Sequence, residues 1–167
     1  DSVGDLANGR AQIELQGNEE VTCIFGNTKR GSLTVIKNTV GGDAAFSFTS
    51  AALGNFSLTT SGSTAQRTFA GLVPGVYDLN EAAPAGWDLT SATCSDGSTL
   101  PTVNLDAGEN VTCTFTNTKR GSLTVVKNAD GGDGSFGFSS QALGGFVLTT
   151  TNGVAQTTFA NLVPGVY

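Results

Sequence analysis

The sequence predicts an all-β fold, and three observations carry that prediction. Thr, Ser, Gly, Val and Phe are abundant while the helix formers Glu, Lys, Met and Arg are scarce. Short apolar alternations are separated by turn-forming clusters of Gly, Asn and Asp. Finally, the chain repeats itself: Asn27 to Tyr77, opening NTKRGSLTVIKN and closing TFAGLVPGVY, recurs as Asn117 to Tyr167 at an offset of 90 residues, with about two-thirds of positions identical.

A 90-residue period is the size of a domain, not of a solenoid unit. Cutting at the polar Thr-Lys-Arg-Gly junction divides the chain into 1–30, the C-terminal part of one repeat; 31–120, a complete repeat; and 121–167, the N-terminal half of the next. The chain then reads as a slice of a longer tandem array. Subunits that complete one another are the other explanation.

Within the complete repeat the strands are expected in order. SLTVIKN (32–38) alternates, with Leu33, Val35 and Lys37 on one face; FSFTS (46–50) follows the Gly-Gly-Asp turn and puts Phe46 and Phe48 together. NFSLTT (55–60) and QRTFAGL (66–72) flank Ser-Gly-Ser, replaced by Asn152-Gly153 one period later, a hairpin signal. GVYDLNE (75–81) follows Pro74, TVNL (102–105) is short, and VTCTFTN (111–117) closes the unit. About seven strands of this spacing make an Ig-like β-sandwich. Phe46, Phe48, Phe56, Phe69 and Phe115 fall on the apolar faces and are expected in its core. Trp87, after Pro-Ala-Gly, is expected at a loop, covering one end of the sandwich or stacking on a sugar.

Composition excludes several functions. The chain has no His, so the imidazole base, the imidazole metal ligand and the Ser-His-Asp triad are missing, and an enzyme is not expected. Eight cations against 14 acidic residues give a net charge of −6 and no basic stripe for nucleic acid. The apolar runs are far shorter than the roughly 20 residues a membrane helix needs, so no membrane insertion is expected in this segment. Charged residues make up 13% of the chain against roughly 25% in typical domains, a composition often met in secreted surface proteins.

The alternation also aims polar groups at the core. Lys37 shares a face with Leu33 and Val35, Glu81 with Tyr77 and Leu79, and Asn117 with Val111, Cys113 and Phe115. Burying a lone ammonium or carboxylate is prohibitively costly, so these three must sit at exposed strand ends, pair with one another, or be chemically consumed.

Here the chain resembles a known family. LTVIKN opening the unit, VYDLNEAAPAGW in its middle and VTCTFTN at its end are similar to the Cna protein B-type, or SpaA-like prealbumin, domains of bacterial surface adhesins and pilins. Tyr77, Leu79, Glu81, Pro84, Gly86 and Trp87 match the family's central box, and Ala83 matches one place out of step. The resemblance implies a prealbumin-like sandwich in which Lys37 and Asn117 join in an isopeptide bond, assisted by Glu81 as catalyst. The resemblance extends to the 90-residue counterparts Lys127 and Asn27, which lack their partners within the chain and are expected as an incomplete or intermolecular pair.

Cys94, expected in a polar Thr-Cys-Ser-Asp-Gly loop, and Cys113, expected to point inward, lie in one unit, and a bridge between them would close a loop of about 20 residues, contributing about 3 kcal/mol through the unfolded state. It would place the chain in an oxidising, extracellular setting. Free, buried thiols are the other reading. Cys23 is the counterpart of Cys113, but Gly4 stands where a partner would align. NADGGDG (128–134) reads as a turn, with a calcium loop as the alternative; its counterpart NTVGGDA keeps a single Asp. Asn55-Phe-Ser and Asn110-Val-Thr fit the glycosylation sequon. No cofactor and no metal are expected.

The expected role is that of an extracellular, cell-surface structural repeat, stiffened by the short Thr-Lys-Arg-Gly linker, whose partners are neighbouring repeats or copies of the same protein. A self-assembling filament subunit, whose open end a neighbour's VTCIFGN (21–27) fills by strand addition, is the alternative. A module that binds a carbohydrate or host protein through its end loops is the third reading.

Overall fold

The computed structural model describes residues 3–5 and 7–167. Residues 1, 2 and 6, part of the expected partial repeat 1–30, lie outside the described residues. The fold is all-β: fifteen strands and, among the described residues, no helix. Strands β1 (Val3–Asp5) and β2 (Arg10–Gln12) form a small antiparallel pair that is exposed throughout.

The sandwich is built from β3 (Gly31–Val40), β4 (Ala45–Thr49), β5 (Phe56–Thr59), β6 (Thr64–Leu72), β7 (Gly75–Asp78), β8 (Asn80–Ala82), β9 (Trp87–Cys94), β10 (Thr102–Leu105) and β11 (Asn110–Lys119). One layer is a four-stranded sheet in the order β6-β3-β11-β9; the other comprises β5-β4-β8 and β10-β7. In β3 and β11 burial alternates residue by residue, as the period of an extended strand demands. Leu33, Val35, Phe46, Phe48, Leu79, Val103, Val111, Cys113 and Phe115 are almost fully enclosed between the layers. Burying each large apolar side chain stabilises by about 1.5–3 kcal/mol. Phe48 stacks on Phe56 at 5.0 Å and meets Phe115 edge-on at 5.2 Å, so aromatic packing ties the two layers.

Two strand assignments differ from expectation. The extended stretch 75–81 is divided at Leu79: β7 pairs with β10, β8 pairs with β4, and Leu79 N–H donates to the Pro101 carbonyl at the crossing. The stretch expected as loop around Trp87 and Cys94 is strand β9, antiparallel to β11. It escapes the alternation rule because it lies at the sheet edge, where both faces are partly open and Thr and Ser occupy the row. Trp87 opens β9, half-buried, and packs edge-on against Phe46 at 5.4 Å.

The expected hairpin after β5 is present. Gly62 (φ 63°) and Ser63 (φ 70°) are both left-handed, as a tight two-residue turn requires. Asp43 fastens it, its carboxylate accepting the N–H of Gly62 (3.0 Å) and Ser63 (2.8 Å). One period on, Asp133 does the same for Asn152 (3.0 Å) and Gly153 (2.8 Å). That places Asp133 in a turn clasp.

Beyond the sandwich, β12 (Gly121–Asn128) pairs with β15 (Val154–Leu162) and β13 (Ser135–Ser140) with β14 (Gly144–Thr149). Leu33 faces Phe69 across β3 and β6, and Leu123 faces Phe159 across β12 and β15, so the pairing recurs at the period of the sequence. Here the inward side chains of β12 stay half-buried, and Leu148 is the one hydrophobic residue of this segment that is buried.

Candidate functional site: a buried lysine, glutamate and asparagine

Lys37 and Asn117 are both fully buried, and the Glu81 side chain is 1% exposed. The local cause is period-two alternation: Lys37 and Asn117 sit on the faces that carry the core residues of β3 and β11, and Glu81 follows the buried Leu79 by two along the same extended run. Three strands from both layers therefore deliver one cluster. β3 brings Lys37, β8 brings Glu81 and β11 brings Asn117.

The Lys37 Nζ donates to Asn117 Oδ1 at 2.7 Å, to the Asn38 carbonyl at 2.8 Å and to the Phe115 carbonyl at 3.2 Å. It lies 3.4 Å from Glu81 Oε1 and 4.2 Å from the centre of the Phe46 ring. Glu81 Oε1 and Oε2 and Asn117 Nδ2 are the buried side-chain atoms, among the described residues, that find no hydrogen-bond partner of regular geometry. Such unpaired buried groups are costly in a finished core.

Burial pushes the Lys37 ammonium below its usual range and the Glu81 carboxyl above its own; the attraction between the two charges, and for Glu81 also the Asn117 side chain, pulls the other way. The direction favours a neutral amine beside a neutral acid. A neutral amine is a nucleophile, and a protonated carboxyl can polarise an amide oxygen.

The predicted trio is thus brought together. The second pair is not: Lys127 Nζ donates to the Asn128 carbonyl at 2.8 Å and covers the Phe136 ring at 4.2 Å, while Asn27 is exposed in a stretch without strand pairing. Phe46 was placed in the core by alternation, but its position over Lys37 was not legible, because it comes from the opposite layer. Cys94 and Cys113 stand directly opposite each other in the β9–β11 register and form a disulfide. Cys94 ends a strand instead of lying in a loop, and Cys23 is free and exposed.

A two-layer sandwich with a buried Lys-Glu-Asn cluster between its first and last strands defines an all-β structural domain. The chain belongs to the SpaA-type family described as a prealbumin-like fold domain, whose model matches residues 33–119. Among solved structures, the Bacillus anthracis TIE protein is similar, with 21% sequence identity and a TM-score of 0.40, over 79% of this chain and 26% of that one. The chain therefore spans about a quarter of that solved chain. No curated protein matches.

Proposed function

We propose that the chain is an extracellular structural repeat of a stiff surface stalk, in which Lys37 and Asn117 become covalently joined. The observation that carries this reading is the 2.7 Å approach of Lys37 Nζ to Asn117 Oδ1, fully buried and beside Glu81. In the proposed step the neutral Lys37 amine attacks Asn117 Cγ while the protonated Glu81 carboxyl supports the developing charge on Oδ1. The Nζ–Cγ bond forms, the Cγ–Nδ2 bond breaks, and Glu81 relays the amine proton to the departing nitrogen, which leaves as ammonia. The event occurs once per domain and is maturation, not turnover.

Topology supports a mechanical purpose. β3 and β11 are parallel neighbours paired from Ser32 with Asn110 to Val40 with Thr118. Tension entering at Gly31 and leaving at Lys119 loads that ladder in shear. An amide between residues 80 apart in sequence would carry the pull across β3 and β11 and leave the intervening chain unloaded. The test is intact mass of the reduced, denatured chain with peptide mapping. Loss of one ammonia, located to a branched peptide holding Lys37 and Asn117, is expected; an unmodified mass overturns the reading.

A second reading draws on Lys127, held against its following carbonyl and its Phe at the same distances as Lys37. In the described residues β12 pairs only with β15, leaving the edge that corresponds to the β11 side of β3 open. The segment 21–27 of a neighbouring copy would fill it by strand addition and bring Asn27 to Lys127. Covalent dimers and higher species on a denaturing gel, mapped to Lys127 and Asn27, would favour this filament subunit.

A further inference from the structure

Arg120 is the single residue between β11 and β12, and it touches both sides of that junction. Its Nε donates to Asp88 Oδ2 at 2.8 Å and its Nη2 to Asp88 Oδ1 at 2.7 Å, a two-pronged contact with β9 of the preceding unit. Its backbone N–H donates to the Gly86 carbonyl at 2.8 Å. On the other side, Nη1 reaches the carbonyl of Asn161, on β15 of the following unit, at 3.4 Å.

The acceptor on the following unit is a built feature. Asn161 is left-handed (φ 57°), and the β12–β15 register shifts between Gly121 and Leu123, a bulge at which the Asn161 carbonyl meets Arg120. One period earlier Gly71 (φ 68°) lies at the same kind of shift between Gly31 and Ser32, and Arg30 Nη1 donates to its carbonyl at 3.1 Å. The contact recurs with the repeat. Gly86 also explains part of the Pro-Ala-Gly-Trp box: left-handed at φ 81°, it turns its carbonyl to Arg120, and a Cβ placed there would stand 3.9 Å from Asn161 Oδ1.

We propose that Arg120 locks the joint between consecutive repeats, fixing the angle at which one unit follows the next. The inference builds on the stalk reading and adds the origin of its stiffness. An exposed ion pair adds little stability, but a planar fork gripping one carboxylate constrains direction, which a flexible ammonium does not. The occupant of the surface made by Gly86, Asp88 and Arg120 is the bulge of the next repeat.

The test is the distance distribution between nitroxide labels at Thr59→Cys and Gln156→Cys, both exposed positions, in a Cys23→Ser background of the full chain. The expected wild-type result is one narrow peak, broadened roughly twofold or more by Arg120→Ala and by Asp88→Ala and less by Arg120→Lys. Unchanged thermal midpoints of the variants would locate the effect in the joint. A wild-type distribution as broad as the variants', or variants as narrow as wild type, overturns the proposal. Intact mass on the same samples reads the Lys37–Asn117 bond separately, so a loose joint in a cross-linked chain sinks the lock alone.

Discussion

Lys37 and Asn117 face each other diagonally across two parallel strands: Lys37 is in register with Phe115, and Asn117 with Thr39. The two-residue stagger is what the long lysine stem spans to bring Nζ within 2.7 Å of Asn117 Oδ1. A residue directly opposite would be reached by a shorter side chain. This geometry makes the chemistry of the cluster testable.

Glu81→Gln keeps the size of the side chain and removes its acidity. Wild type is expected to lose one ammonia on maturation, whereas Glu81→Gln should retain most of it, with general acid–base help worth roughly 10²–10⁴ in rate. A mass time course after refolding measures this, and equal rates for the two chains would remove Glu81 from the step.

A chain unable to cross-link carries a pH signature. A lysine whose folded value is lowered leaves the native state holding fewer protons than the unfolded one up to the ordinary 10.5, so stability rises with pH toward that value. A glutamate whose folded value is raised leaves the native state holding more protons above the ordinary 4.5, so stability falls as pH climbs from there. Asn117→Ala, which retains both groups, is therefore expected to be least stable between these two values. Cross-linked wild type lacks the alkaline gain because Lys37 has become an amide. Urea midpoints across pH decide the matter, and parallel profiles would contradict it.

Phe46 encloses the reactive amine and belongs to the core. Phe46→Ala is expected to cost about 3–5 kcal/mol and to slow cross-linking as water reaches Lys37. Chemical denaturation and the mass time course together check it. Destabilisation with an unchanged rate would leave Phe46 with a packing role alone.

The Cys94–Cys113 disulfide ties β9 to β11 across a sequence separation of 19. Cys94→Ala/Cys113→Ala is expected to lose about 2–4 kcal/mol in urea unfolding, mostly through a freer unfolded chain. An unchanged midpoint would show that the bridge contributes nothing measurable.

Alternation along single strands already placed Lys37, Glu81 and Asn117 inward with Phe46, Phe48 and Phe115, because a period of two is a local property of extended backbone. The Asn152-Gly153 turn was legible for the same reason: both residues of a tight hairpin must be left-handed, and few side chains accept that. Neighbour choice was a different matter. That β3 lies parallel to β11, that 75–82 changes partner at Leu79, and that β9 forms the edge beside Cys113 depend on which distant segments win each other's hydrogen bonds and apolar faces. The Arg120–Asp88 contact depends on the same long-range choice, since β9 must reach the end of β11 before a carboxylate meets the linker. The faces follow from local backbone geometry, while the partners are settled only when the whole core closes.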